Sequence, residues 1–271
     1  VNSGKVRNQG IEATVGYNFR FGKNWSWRTS YNVSFNDNKI LETSYEEDGS
    51  EKLIYNDLRG VRVRYRKGGS IGDMYVTDFK RDENGHYVLD SDGAPQLETE
   101  ANKQYGVYAG NMNSKWQMGW SNTIRYKDFS LFFLINGRIG GKVISFTEAY
   151  LDGSGLSERT AEARQYAEQH NLVASGYGQA SGPGMYLPDG SNRVVPITSY
   201  YKGIGGASPA SSQYIYNGTN FRLRELSLGY TFRNLIGENK NLTLSFIARN
   251  LFFIYKDSPV DPDVSLSTDN G

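Results

Sequence analysis

From Ile11 to Phe21 every odd position is apolar (Ile11, Ala13, Val15, Tyr17, Phe19, Phe21) and every even one is small or polar (Glu12, Thr14, Gly16, Asn18, Arg20). Such alternation puts one greasy and one wet face on an extended strand. Strands of soluble proteins are usually about five or six residues long. Ten steps of about 3.4 Å, tilted about 40° from a barrel axis, rise roughly 26 Å, close to the apolar band of an outer-membrane barrel. The segment therefore predicts a membrane-spanning strand.

The pattern returns five times. After Gly22-Lys23-Asn24, the odd positions Trp25, Trp27, Tyr31, Val33 and Phe35 are apolar and their even neighbours hydrophilic. Phase is kept across three turn residues, so Phe21 and Trp25 should pair on the apolar face. Trp116, Met118, Trp120, Ile124 and Tyr126 are even, whereas Phe129, Leu131, Phe133 and Ile135 are odd. A two-residue turn at Lys127-Asp128 requires that flip and sets Tyr126 against Phe129. Leu226 to Phe232 and Leu242 to Phe246 make a third hairpin, and a change of parity after Phe221 and Leu223 predicts a bulge near Arg224 or Glu225.

The fold class expected is all-β: an antiparallel transmembrane β-barrel segment of about six long strands with long extracellular loops. Hairpins fall at about 8–39, 115–139 and 219–255, and loops at about 40–114, 140–218 and 256–271. Connections of about three, two and nine residues alternate with two of roughly eighty. Tight periplasmic turns and long outer loops are the habit of outer-membrane barrels. Aromatics flank the short turns, as amphipathic rings do at a membrane interface. Six strands are too few to close a lumen. Val1-Asn2-Ser3-Gly4 has neither a start Met nor a signal peptide, and Leu266 to Gly271 is a polar loop where a closing strand is expected.

A mean hydropathy of -0.59 and 38% hydrophobic residues do not conflict with this, because only one face of each strand meets lipid. No stretch approaches the roughly eighteen apolar residues of a membrane helix. With 30 basic and 29 acidic residues there is no general pull towards nucleic acid, and with no Cys there is no disulfide or thiolate chemistry.

Several segments resemble SusC/RagA-type TonB-dependent receptors of Bacteroidetes: GNMNSKWQMGWSNTIRYKDFSLFFLINGRIGGKV at 110–143, VNSGKVRNQGIEATVGYNF at 1–19, NGTNFRLRELSLGYTF at 217–232 and LSFIARNLFFIYKDSPVDPDV at 244–264. They occur in that family's order and hold about a third of the chain. The resemblance implies a 22-stranded outer-membrane barrel of which this chain is a late, C-terminal part, with the N-terminal plug domain and final strand outside it. It also implies TonB-dependent import of large nutrients, oligosaccharides or peptides, with a SusD-like surface lipoprotein over the loops and TonB acting through the plug. The competing reading is a soluble or surface-exposed β-sandwich carbohydrate-binding module, whose strands also alternate.

No catalytic, cofactor or metal residue stands out, and no enzyme is expected. Asp82-Glu83-Asn84-Gly85 and Asp90-Ser91-Asp92-Gly93 lack the spacing of a calcium loop and read as polar turns of a hairpin around Tyr75 to Leu89. His86 and His170 have no second ligand nearby in sequence. Gly140-Gly141 and Gly203 to Gly206 read as loop glycines, and Ser157 to His170 as the one helical stretch, with Ser157 as its cap. Arg28, Asn32, Asn36, Arg125, Asn136, Arg138, Arg222, Arg224 and Arg249 fall on the lumen side, where they suit guiding a polar nutrient or, for most of them, docking of a plug. The long loops carry Tyr45, Tyr55, Tyr65, Tyr75, Tyr87, Tyr105 and Tyr108, then Tyr177, Tyr186, Tyr200, Tyr201, Tyr214 and Tyr216, expected mainly to pack the loops. No individual ligand residue is assigned among them.

Overall fold

A computed structural model describes residues 4–46, 52, 54–58, 60–100, 103–235, 237–238 and 240–263. The terminal stretches Val1-Asn2-Ser3 and Leu266 to Gly271 read above lie outside the described residues.

Six long strands form one antiparallel sheet: β1 (Lys5–Phe21), β2 (Trp25–Glu42), β3 (Trp116–Tyr126), β4 (Phe129–Ile139), β5 (Asn220–Phe232) and β6 (Leu242–Lys256). Each pairs with its neighbours in chain order, so the sheet is a meander with β1 and β6 at its edges and is not closed into a barrel. The turn geometry sets the register as the phase of the pattern requires: Phe21 faces Trp25, Tyr126 faces Phe129 and Phe232 faces Leu242. The ladder skips a residue between Leu223 and Glu225 towards both neighbours, so Arg224 is the bulge. Without it the apolar residues before and after would point to opposite faces. Lys127, at φ 52, takes the left-handed backbone that the two-residue turn demands.

Registers carry the apolar face unbroken across all six strands. Val15 lies beside Tyr31, Tyr31 beside Trp120, Trp120 beside Ile135 and Ile135 beside Leu223. Nothing described covers it. Ile11 and Val15 are each 72% exposed, and Trp25 and Trp120 are exposed too. Phe19 and Phe133 are shielded in part by ring neighbours on the same face, Trp27 at 5.0 Å and Trp120 at 5.7 Å. A β-sandwich would bury this face beneath a second sheet, so the competing reading does not hold.

Two polar residues sit on this face, Thr29 and Asn122, directly opposite each other in the ladder. The flanking indoles answer them. Trp27 Nε1 donates to Asn122 Oδ1 at 3.0 Å and Trp120 Nε1 to Thr29 Oγ1 at 2.9 Å. Asn122 is thereby wholly buried although its face is open. Polar groups facing hydrocarbon are costly unless paired; the two oxygens find their donors within the sheet, while the Asn122 Nδ2 is buried with no partner among the described residues.

The two long connections fold together into a cap at one end of the sheet. The first contributes a four-stranded antiparallel sheet from Ile54–Leu58, Val61–Tyr65, Asp73–Val76 and Val107–Asn111. The second contributes α1 (Phe146–Gly153), α2 (Glu158–Gln169) and α3 (Ile197–Ile204) with short strands between them. Both clusters of buried apolar residues draw on both connections. One joins Val61, Val63, Met74 and Val76 to Ile144, Ala149 and Tyr214; the other joins Phe79 and Tyr87 to Leu187, Val195, Ile197, Tyr200 and Ile204. Neither connection owns a core of its own.

The expected helix is α2, with Ser157 accepting from the Thr160 N–H at 3.2 Å. It is not the only helix. Ser145 caps α1 in the same way, and α3 follows Pro196 and buries Ile197, Tyr200, Tyr201 and Ile204 at helical spacing. Gly203 belongs to α3 rather than to a loop, and its missing side chain makes room for Ala94, whose Cβ would stand 3.0 Å from one added there.

Candidate functional site

Two surfaces could meet a solute: the wet face of the sheet and the cap. On the wet face, the residues expected towards the lumen do not act as one set. Arg222 pairs with Asp261 and lies 3.3 Å from Asp263, to which Arg138 (3.2 Å) and Arg224 (3.7 Å) also reach. Asp261 and Asp263 follow β6 and fold back over the wet face, where the bulge has placed Arg224 beside Arg222. Arg222 also lies 3.9 Å above the Phe253 ring. These three arginines, expected to dock a plug, are thus taken by the chain's own carboxylates. Asp261 is held below the usual carboxylate range: burial raises it, but the Asp263 N–H and the Arg222 guanidinium outweigh that. Arg249 pairs with Glu225 at 3.0 Å. Arg28 and Arg125 stay exposed and make no ion pair among the described residues, and Asn32, Asn36 and Asn136 are exposed too. They remain the open part of the wall.

In the cap the tyrosines divide. Tyr75, Tyr87, Tyr200, Tyr201 and Tyr214 are buried, whereas Tyr45, Tyr55, Tyr108 and Tyr186 are about half exposed. Tyr214 shows what the buried ones do. Its hydroxyl donates to Asp152 Oδ2 at 2.7 Å, and the same carboxylate is forked by Arg159, whose Nε lies 2.9 Å from Oδ1. Burial, with the Asp152 bond, pushes the Tyr214 hydroxyl well above the ordinary phenol value. It is a structural donor rather than a titrating group.

A second node ties the two connections. Asp189 Oδ2 accepts from the Tyr87 N–H at 2.9 Å and from Arg193 Nη2 at 2.9 Å, and Arg193 also donates to the Tyr87 carbonyl at 2.6 Å. Burial pushes the Asp189 carboxyl upward, yet the Ser191, Tyr87 and Arg193 donors together hold it well below the usual carboxylate range.

The acidic turns form as expected and are spent on themselves. Asp82 Oδ1 accepts from the Asn84 and His86 N–H groups, and Asp90 Oδ1 from those of Asp92 and Ala94. His86 stays with Asp82 at 3.9 Å, while His170 stacks on Tyr166. Among the described residues no three metal-ligating side chains gather.

Sequence reasoning missed one constellation. On the outer face of the four-stranded cap sheet, Arg62 and Arg64 alternate with the core residues Val61 and Val63. Around them stand Tyr55, Tyr75, Tyr105 and Tyr108, with Arg62 4.0 Å from the Tyr55 ring and Arg64 4.6 Å from that of Tyr75. The signal was present in Val61-Arg62-Val63-Arg64-Tyr65-Arg66, an alternation too short to assign a face until the neighbouring strands were known.

A sheet with an uncovered apolar face on one side, a wet wall on the other and a folded cap on its long connections defines a segment of outer-membrane-type barrel wall. The likenesses specify which kind. The chain is 24% identical over 99% of its length to TonB-dependent receptor P3 of Formosa agariphila, of which the match covers 26%. It is likewise 24% identical over 99% of its length to TonB-dependent receptor SusC of Bacteroides thetaiotaomicron, of which it covers 25%. No protein-family profile matches. Among solved structures, that of the RagAB peptide transporter superposes with a TM-score of 0.62 at 17% identity, over 96% of this chain and 27% of that one. The chain thus spans about a quarter of the length of the curated relatives it matches. Over nearly its whole length the chain is similar to a stretch of SusC/RagA-type TonB-dependent receptors. These relatives are transport receptors rather than enzymes, and the lipid-ready face is consistent with an outer-membrane location.

Proposed function

We propose that the protein to which this barrel segment belongs imports large nutrients, oligosaccharides or peptides, across the outer membrane, crossing it many times. A SusD-like lipoprotein would cover the cap from outside, and TonB would act through a plug domain inside the barrel. The observation that carries the reading is the continuous apolar face, open across all six strands and backed by a wet wall, because such a sheet is stable only where lipid replaces water on one side. The matches to SusC and to a peptide transporter support nutrients of that size class.

Deleting the full-length gene should abolish growth on one complex nutrient while leaving growth on its monomer intact. Unchanged growth on every glycan and peptide tested would sink the import reading. The barrel itself is tested separately: the parent chain should extract only in detergent and migrate differently when heated.

A further inference from the structure

The arginine and tyrosine face of the cap sheet holds cations and polar groups that the described residues match unequally. Arg62 is already satisfied, since its Nε and Nη2 fork Asp57 at 2.6 and 2.8 Å. Arg64 is not. Among the described residues its Nε is buried without a hydrogen-bond partner, and only its Nη2 reaches an acceptor, the Gln104 carbonyl at 3.4 Å. The Tyr75 hydroxyl, on a residue only 3% exposed, is likewise buried and unpartnered. Two such groups side by side are unusual, because a buried donor without an acceptor costs roughly 1–3 kcal/mol.

The electrostatics point the same way. Arg66 lies 5.2 Å from the Tyr75 ring and makes no ion pair with any described carboxylate. Asp73, nearby, is occupied by the Ser70 N–H, the Tyr108 hydroxyl and the Asn111 amide. Burial, then the like charges of Arg62 and Arg66, makes Arg64 a stronger acid than an ordinary guanidinium. Beside these cations, the rings of Tyr55 and Tyr108 are about half open.

We propose that this face is a binding site for an acidic saccharide, with the carboxylate or sulfate of one sugar paired to the guanidinium groups of Arg64 and Arg66 above the Tyr75 ring, and the pyranose face against Tyr108. A guanidinium fork matches a carboxylate or sulfate in two bonds, and the open tyrosine supplies a flat apolar wall for the ring. The assignment rests on the import reading and narrows it to anionic glycans.

The test uses the intact receptor purified in detergent and calorimetric titration with three tetramers: an oligogalacturonate, a sulfated galactan and neutral maltotetraose. At least one anionic tetramer should bind ten-fold or more tightly than the neutral one, and whichever does names the acidic group. Arg64→Gln with Arg66→Gln should remove that preference while heat-dependent migration stays unchanged. Should that double variant fail to fold, the wild-type preference should still collapse in 0.5 M salt, as a charge-based site requires. A wild type indifferent to charge, a preference that survives both treatments, or a tetraglutamate that binds as well as the acidic sugars would overturn the proposal. A receptor that binds the acidic tetramer but whose deletion leaves growth unchanged would refute import and keep the site. One that imports only neutral glycans would do the reverse.

Discussion

In the sheet Val15 is 72% and Phe246 69% exposed; in the cap Val61, Val195 and Tyr214 are wholly buried. The two regions belong to one chain and use the same residue types, yet they answer to different solvents. The cap follows the rule for water: its apolar side chains converge on two clusters, and its buried carboxylates are met by donors, Asp152 by Arg159 and Tyr214 and Asp73 by Tyr108 and Asn111. In the sheet the apolar residues turn outward in rows and the polar ones line the opposite face. The difference also governs how each region holds together. Within each of its three hairpins the sheet is fixed locally by a short turn, although β2 meets β3 and β4 meets β5 only across the long connections. The cap is fixed by bonds such as Arg193 to Tyr87, 106 residues apart.

The harshest way to break this contrast is to treat the sheet as if it faced water. Phe133→Arg places a charge on the lipid side, at a cost of about 2–4 kcal/mol near the midplane, and the folded, heat-modifiable form of the intact receptor should largely vanish. A protein that assembles normally with this change would refute the lipid assignment. Next in size is a cavity confined to the cap. Ile197→Ala should cost about 2–5 kcal/mol locally, seen as faster hydrogen exchange in both long connections, while the barrel migrates as before. If exchange rose only in the second connection, the shared core would be disproved.

A smaller effect separates the regions by pH. Asp189 has a depressed folded pKa, so its stabilising share is complete above the free aspartate value of about 4 and is withdrawn as pH falls through it towards the folded value. Protection of the Tyr87 amide should therefore fall between pH 5 and pH 3, and Asp189→Asn should flatten that dependence. The slightest change sharpens the comparison from the sheet side. Lys127→Gly relieves a positive φ in the tight turn and should raise the thermal midpoint of the heat-modifiable transition, through a gain of about 0.5–1 kcal/mol.

What could be read from the sequence follows the same division. All six strands, the Tyr126 to Phe129 pairing and the bulge at Arg224 were legible because alternation and turn length act over a few residues. Helix α2 was legible through Ser157, a cap residue with apolar positions behind it. Helix α3 was not, since Ile197-Thr198-Ser199-Tyr200-Tyr201 is rich in residues that favour strands and becomes helical against Phe79, Tyr87 and Val195, which lie elsewhere in the chain. The Asp261 and Asp263 contacts were hidden for the same reason: Arg222 is 39 residues from Asp261, and nothing in the intervening pattern announces the return. In the candidate binding face, each arginine was visible and their shared side was not, because that depends on which strands flank Val61–Tyr65.

The return of the chain over Arg138, Arg222 and Arg224 changes what the wall offers to a passing molecule. Three fixed cations in a row would hold an anion; two aspartates from the same chain offset all but one of those charges and blunt that grip.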